Sequence, residues 1–228
     1  MKNFLKLTGI LLIVSCQLVY SGSSGKKNKL KSKTDSVSFL LGVSVSDNLK
    51  NFPGIDLLNL DLICSGIQKG MSEEGSDISK EELEKVIKNY FEEYLEKESE
   101  AALKEGQEFL AKNKKKENII VTESGLQYRI IREGTGEMPL ETDSVKVHYE
   151  GRLLNGKIFD SSHEKGEPIE IELSRVIKGW TEGIQLMMVG AVYEFFIPAD
   201  LAYGNRSVGE IMPNSTLIFE IELVEILK

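Results

Sequence analysis

The apolar residues of this chain keep a helical period through its first half and an alternating one from about residue 119 onward. A surface helix needs its apolar residues three or four apart, whereas a strand with one buried face needs every second position apolar. That single switch divides the 228 residues into an amino-terminal α part and a carboxy-terminal sheet, an α+β chain.

In the first part, Val37, Leu40, Leu41, Val45 and Leu49 recur at spacings of one, three and four, with Asp35 as the expected N-cap and Pro53-Gly54 as the stop. A second helix is predicted over residues 59–69, with Leu60, Ile63, Cys64 and Ile67 on its apolar side. Ser79 and Glu82 have the S-x-x-E spacing of a capping box, and no Gly or Pro follows until Gly106. A helix over residues 79–115 would be on the order of 55 Å long, more than its own subdomain needs. Its stripe of Leu83, Val86, Ile87, Tyr90, Phe91, Tyr94 and Leu95 gives way to polar residues 96–100, and Ala101, Ala102, Phe109 and Leu110 return sparsely. The first half is expected to pack and the second to stand exposed, as a stalk. Two short helices and half a long one make a poor core, so either a second copy or the carboxy-terminal half must cover the stripe. A homodimer is the expectation.

In the second part Leu126, Tyr128 and Ile130 alternate, as do Val145, Val147 and Tyr149, then Ile169, Ile171 and Leu173, then Leu217, Phe219, Ile221 and Leu223. At least four antiparallel-type strands are implied. Only residues 180–187 between them read as helical, so the expected architecture is a twisted sheet wrapped on one short helix.

The amino terminus has a different texture. Lys2 and Lys6 precede an apolar run over residues 7–14, too short to span a bilayer but suited to the h-region of a secretory signal. Ile13-Val14-Ser15-Cys16 resembles a bacterial lipobox, which implies that Cys16 becomes the lipidated first residue of an exported chain; the alternative is an ordinary cleaved signal. Residues 17–33 are rich in Ser, Gly and Lys and read as a flexible tether. The layout expected is thus a signal over residues 1–16, a tether over 17–34, a helical dimerisation domain over 35–118 and a second domain over 119–228. All 36 acidic side chains fall after residue 33, against 21 basic ones, and such a body repels phosphate backbones; nucleic-acid binding is not expected. Two cysteines give no disulfide framework, and Cys64 is read as a small apolar packer.

Several chemistries fail on their spacing. Residues 151–157 match G-x-x-x-x-G-K, yet Ile158 stands where magnesium needs a hydroxyl, and Asn155-Gly156 is instead a hairpin turn signal. Asp160, Ser161, Ser162 and His163 contain triad letters, but neighbours this close cannot easily build nucleophile, base and orienter. His148 and His163 are the only histidines and sit in no ligand cluster, so neither a metal nor an organic cofactor is expected.

What remains is a set of aromatic and branched residues around one lone carboxylate. Val147-His148-Tyr149-Glu150-Gly151, Gly156-Lys157-Ile158-Phe159-Asp160-Ser161-Ser162, Val176-Ile177-Lys178-Gly179-Trp180 and Ala202-Tyr203-Gly204 resemble, in order and spacing, the signature blocks of FKBP-type peptidyl-prolyl isomerases. The helical half, with Thr122-Glu123-Ser124-Gly125-Leu126-Gln127-Tyr128 at the junction, is similar to the dimerising module of Mip and FkpA-like proteins. The resemblance implies an FKBP-like sheet, rotation about X-Pro bonds of exported proteins, and a dimer whose long helices hold two isomerase domains apart. It also implies a pocket with Trp180 as floor and Tyr149, Phe159, Val176, Ile177, Ile211 and Phe219 as walls. The Ile177 N–H and the Tyr203 hydroxyl would hold substrate carbonyls, and Asp160 would act electrostatically; Asp160, Tyr203, Phe159 and Ile177 are the candidate catalytic residues.

The rival reading is a holdase or envelope interaction module whose pocket grips apolar segments without catalysis. Ile169 stands where many relatives carry an aromatic, and Met212 precedes Pro213 where a double proline is common, which leaves substrate and macrolide preference open. His163 and Lys165 are read as shaping the loop after Asp160.

Overall fold

The structure, a computed structural model, describes residues 19–21, 27–50, 52, 54–72, 75 and 78–227. The signal segment with Cys16 lies outside them. Two compact units divide between Ile55 and Asp56.

In the first unit, β1 (Val19–Ser21) pairs antiparallel with β2 (Lys27–Lys29), and α1 spans Lys33–Leu49. The N-cap of α1 is Ser32, and the expected cap, Asp35, is its N3 residue. Asp35 N–H donates to Ser32 Oγ at 3.0 Å while the Ser32 N–H donates to Asp35 Oδ2 at 3.0 Å, a reciprocal capping box. These bonds hold the Asp35 carboxyl below the usual carboxylate range: the Lys31 N–H, donating at 2.9 Å, contributes most. None of the residues of α1 is buried, and Val37, Leu40, Leu41 and Val45 remain exposed in the single chain.

The second unit begins with a 3-10 turn and α2 (Leu60–Gly70), whose N-cap Asn59 accepts from the backbone of Asp61 and Leu62. The helix α3 runs over Lys80–Asn113 from the cap Ser79, which accepts from the Glu82 N–H at 3.1 Å. Its second half, expected to stand exposed, instead packs against the sheet-bearing part of the chain. Leu83, Val86, Ile87 and Tyr90 of the first half are exposed in the single chain, and the buried residues are Gly106 and Asn113 near the far end. A Cβ at Gly106 would lie 2.3 Å from Thr216 Oγ1, so only a bare backbone brings the helix this close. Asn113 Nδ2 donates to Gln127 Oε1 at 3.1 Å, and Gln127 Nε2 donates at 3.0 Å to the Leu110 carbonyl, which also accepts from the Lys114 N–H at 3.1 Å. Phe109 lies 5.8 Å from Phe196, and Asn214 Nδ2 donates to Ser99 Oγ at 2.8 Å. The last four turns are therefore fastened to the sheet rather than solvated.

The sheet comprises β3 (Ile120–Val121), β4 (Gln127–Arg132), β5 (Ser144–Leu153), β6 (Ile158–Ser161), β7 (Ile169–Glu172), β8 (Val192–Ile197) and β9 (Leu217–Leu227). The order is β3-β4-β8-β9-β5-β6, with β7 also on β5, and every pairing is antiparallel. Two short helices follow strands, α4 (Ser162–Lys165) after β6 and α5 (Lys178–Ile184) after β7. Trp180 and Ile184 of α5 join Val145, Val147, Tyr149, Phe195, Ile197, Phe219, Ile221 and Leu223 in one buried cluster, the sheet wrapped on a short helix that the alternation implied. The Asn155-Gly156 turn joins β5 to β6, closed by the Leu153 N–H on the Lys157 carbonyl at 2.9 Å.

The strand β8 has no counterpart among the expected ones. Five of its six residues are buried, so it shows no alternation to read. Its second face is covered too: Phe196 by Phe109 of the long helix, and Glu194 by Arg129 and Arg152 at 2.6 and 2.7 Å.

Candidate active site

Three strands and one helix deliver the site residues. On β5, burial alternates from Ser144 to Gly151, which sends Tyr149 and Gly151 to the inner face. Phe219 sits opposite Gly151 on β9, and Phe159 and Asp160 lie on β6, with Asp160 paired to Gly151. Trp180 enters from the first turn of α5. A Cβ on Gly151 would come 2.6 Å from the Phe219 ring and 2.7 Å from that of Phe159, so the absence of a side chain there is what lets the two rings meet, 5.5 Å apart and edge to face.

Trp180 packs edge to face against both Tyr149 and Phe219, with centroids 5.1 Å apart in each case. Such T-shaped contacts are the favoured aromatic geometry and fix the rings relative to one another. The Trp180 Nε1–H is buried without a hydrogen-bond partner. An orphaned buried donor of this kind is costly. Ile211 is buried in the same cluster, and Val176, Ile177, Phe159 and Tyr203 pack against it half-buried. Among the described residues, neither the Ile177 N–H nor the Tyr203 hydroxyl has a hydrogen-bond partner within the chain.

The carboxylate at the rim is held from two sides. Tyr149 Oη donates to Asp160 Oδ2 at 2.5 Å, and Lys165 Nζ lies 2.8 Å from Oδ1. Partial burial pushes the Asp160 carboxyl up, but the Lys165 and Tyr149 hydrogen bonds outweigh it and hold the group below its ordinary range. Burial first, and the bond to Asp160 second, push the Tyr149 phenol up to about 12. The Lys165 ammonium is raised by the same Asp160 bond. Tyr149 is therefore a neutral donor and Asp160 an anion at neutral pH.

The structure thus brings together Tyr149, Phe159, Asp160, Trp180 and Phe219 by direct contact, with Val176, Ile177, Tyr203 and Ile211 around the same cluster. Lys165 does more than shape a loop, since it pairs with the carboxylate and lies 5.9 Å from the Tyr149 ring. Ser162, quoted above only as the end of a signature block, also holds the site. Its buried hydroxyl accepts from the Tyr149 N–H at 2.9 Å and bonds His148 Nδ1 at 3.1 Å, locking the turn after Asp160 to β5. Its only sequence signal was its place two residues after Asp160. His148 itself stacks on His163, 4.8 Å away. Among the described residues no cluster of three or more His, Cys, Asp or Glu could hold a metal ion, and no helix is long and apolar enough to cross a membrane.

An antiparallel sheet wrapped on a short helix carries this aromatic nest and its one pinned carboxylate. The chain belongs to the FKBP-type peptidyl-prolyl cis-trans isomerases. Residues 135–224 match the family model of that description, and residues 34–130 match that of the domain amino terminal to it. The chain is 42% identical over 207 residues to the outer membrane protein MIP of Legionella longbeachae, covering 87% of this chain and 88% of that protein. It is 40% identical over 215 residues to FkpA of Aeromonas hydrophila, covering 89% and 80%. The crystal structure of FkpA from Escherichia coli matches with a TM-score of 0.60 at 31% identity, over 86% of this chain and 98% of that one. The protein is an isomerase of X-Pro bonds, and proline-containing polypeptides are its substrates.

Proposed function

We propose that this chain is an exported, lipid-anchored, homodimeric prolyl isomerase that assists the folding of other exported proteins. In this reading residues 1–16 are a signal ending at Cys16, the anchored residue, and residues 17–34 are a tether. Residues 35–118 pair with a second copy, and residues 119–228 carry the chemistry within the cell envelope. The exposed apolar side chains of α1, and separately those of α2 and the first half of α3, support the pairing, because apolar surface of this kind needs a cover. The relatives' names support the envelope.

An X-Pro bond resists rotation by about 18 to 20 kcal/mol because amide resonance favours the plane. Water stabilises the charge-separated planar form by bonding its carbonyl. A dry pocket strips that water and raises the planar state relative to the twisted one. Trp180 is the floor under the proline ring, with Tyr149, Phe159, Val176, Ile177, Ile211 and Phe219 as walls. The Ile177 N–H and the Tyr203 hydroxyl take substrate carbonyls, and the Asp160 anion acts on the dipole of the twisting amide. No bond is made or broken. A thousandfold acceleration requires about 4 kcal/mol, within reach of desolvation and one or two aimed hydrogen bonds.

The observation that carries these roles is the Asp160 carboxylate pinned by Tyr149 and Lys165 at the edge of the aromatic nest. The test is Asp160→Leu in the whole chain, assayed on X-Pro peptides, on a proline-limited refolding step and on suppression of aggregation. Peptide and refolding activity should both fall while suppression persists. Undiminished refolding assistance would assign the protein to the holdase class instead.

A further inference from the structure

The long helix and the loop beside the pocket meet at one side chain. Asn214 lies between Ile211 and β9 in the left-handed region, at φ +60°. Asparagine tolerates that conformation better than other residues with a Cβ. Its Nδ2 donates to Ser99 Oγ of α3 at 2.8 Å, across 115 residues of sequence. Its backbone N–H donates to the Gly204 carbonyl at 2.7 Å, and Gly204 directly follows Tyr203. The Gly204 N–H in turn donates to the Ala199 carbonyl at 2.8 Å, so the turn that carries Tyr203 hangs between residues 199 and 214. Two residues further on, Thr216 lies against Gly106 of the helix.

We infer that Asn214 is a positioning residue that couples the seating of α3 to the placement of the Tyr203 hydroxyl. The contact of Thr216 with Gly106 resists only closer approach, whereas a hydrogen bond has a direction and is lost when one partner turns. Displacing Ser99 either breaks the side-chain bond or rotates Asn214. The narrow left-handed well leaves the backbone little room to absorb that rotation, so the N–H aimed at Gly204 moves with the side chain. The helix is then more than a spacer, because the position of its last four turns is felt where the substrate carbonyl is held. This rests on the reading of Tyr203 as a pocket residue.

Full-length variants test it. Ser99→Ala removes the acceptor on the helix without touching a pocket residue, and Asn214→Gly removes the side chain while keeping the positive φ and the N–H. Ser99→Ala should shift the amide resonances of Tyr203 and Gly204 and lower kcat/KM on an X-Pro peptide by roughly two- to tenfold, the range set by one neutral hydrogen bond. Asn214→Gly should shift the same resonances, the double variant should be no worse than either single one, and Ser99→Thr should restore both signals. Unmoved Tyr203 and Gly204 amides in Ser99→Ala, or additive losses in the double variant, would overturn the coupling. Tyr203→Phe separates the two readings. A wild-type kcat/KM there removes Tyr203 from the pocket, while the amide shifts still decide whether Asn214 links helix and turn.

Discussion

Lys165 Nζ lies 2.8 Å from Asp160 Oδ1, five residues along the chain and across the whole of α4. Both groups are more than two-fifths exposed, so as a stabilising pair they contribute little. Their effect is on protonation. The native carboxyl titrates below its unfolded value, so its contribution is full above the unfolded pKa and is lost as pH falls through the lower native one.

Lys165→Met should therefore move the Asp160 titration upward, toward the ordinary carboxylate range. The acid limb of kcat/KM follows it to higher pH. Carboxyl carbon NMR and a pH–rate profile measure the two independently, and an acid limb unchanged by the substitution would detach Asp160 from the rate.

Tyr149→Phe keeps the ring against Trp180 and deletes only the donor to Asp160. Activity should fall by about tenfold, one charge-assisted hydrogen bond, with melting temperature changed by a few degrees at most. In the native chain the phenol titrates at about 12, above its ordinary value. Its stabilising contribution is thus full below pH 10 and declines as pH rises toward 12. Ultraviolet titration should show one tyrosine ionising after the rest.

Gly151→Ala places a methyl group between Phe159 and Phe219. Overpacking of this kind costs about 1–3 kcal/mol, and here it also closes the nest. We expect a raised KM for X-Pro peptides out of proportion to the loss in urea midpoint. Equal effects on both would mean that the rings pack for stability alone.

Glu194 is 6% exposed and sits between two arginines on the outer face of β8. Glu194→Ala leaves half-buried Arg152 with only the longer Glu150 contact, at 3.9 Å, and should cost about 3 kcal/mol in chemical denaturation, while Arg129→Ala, at the exposed end, should cost under about 1 kcal/mol.

The alternating strands β5, β7 and β9 were legible in the sequence because each has one face in water and one in the core, and the cap Ser79 was legible from its S-x-x-E spacing. The strand β8 was not, since a strand covered on both faces has no period to reveal. The seam of α3 was missed for a related reason. It is made by Ala102, Gly106, Phe109 and Asn113, a row in which Gly106 and Asn113 contribute nothing to an apolar stripe and Ala102 little. Bare backbone and a buried amide make this contact, and hydrophobicity counts neither. Asp35 was mistaken for a cap because Ser32 lies in a stretch with no periodic signal, three residues before it. Asp160 stood out as a lone carboxylate among aromatics, whereas the grip of Lys165 depends on how α4 turns the chain back.

The position of β9 has a consequence for synthesis. It lies between β8 and β5, and its pairing with β5 joins residues as distant as Ser144 and Leu227. Until the segment over residues 217–227 has left the ribosome, the β4–β8 pair and the β5–β6–β7 group have no strand to join them, and Phe195 and Trp180 lack the cover of Phe219 and Ile221. Ordering such distant pairs is slow. The catalytic half of the chain therefore folds late and all at once, and until then it is itself an unfolded polypeptide in need of shelter.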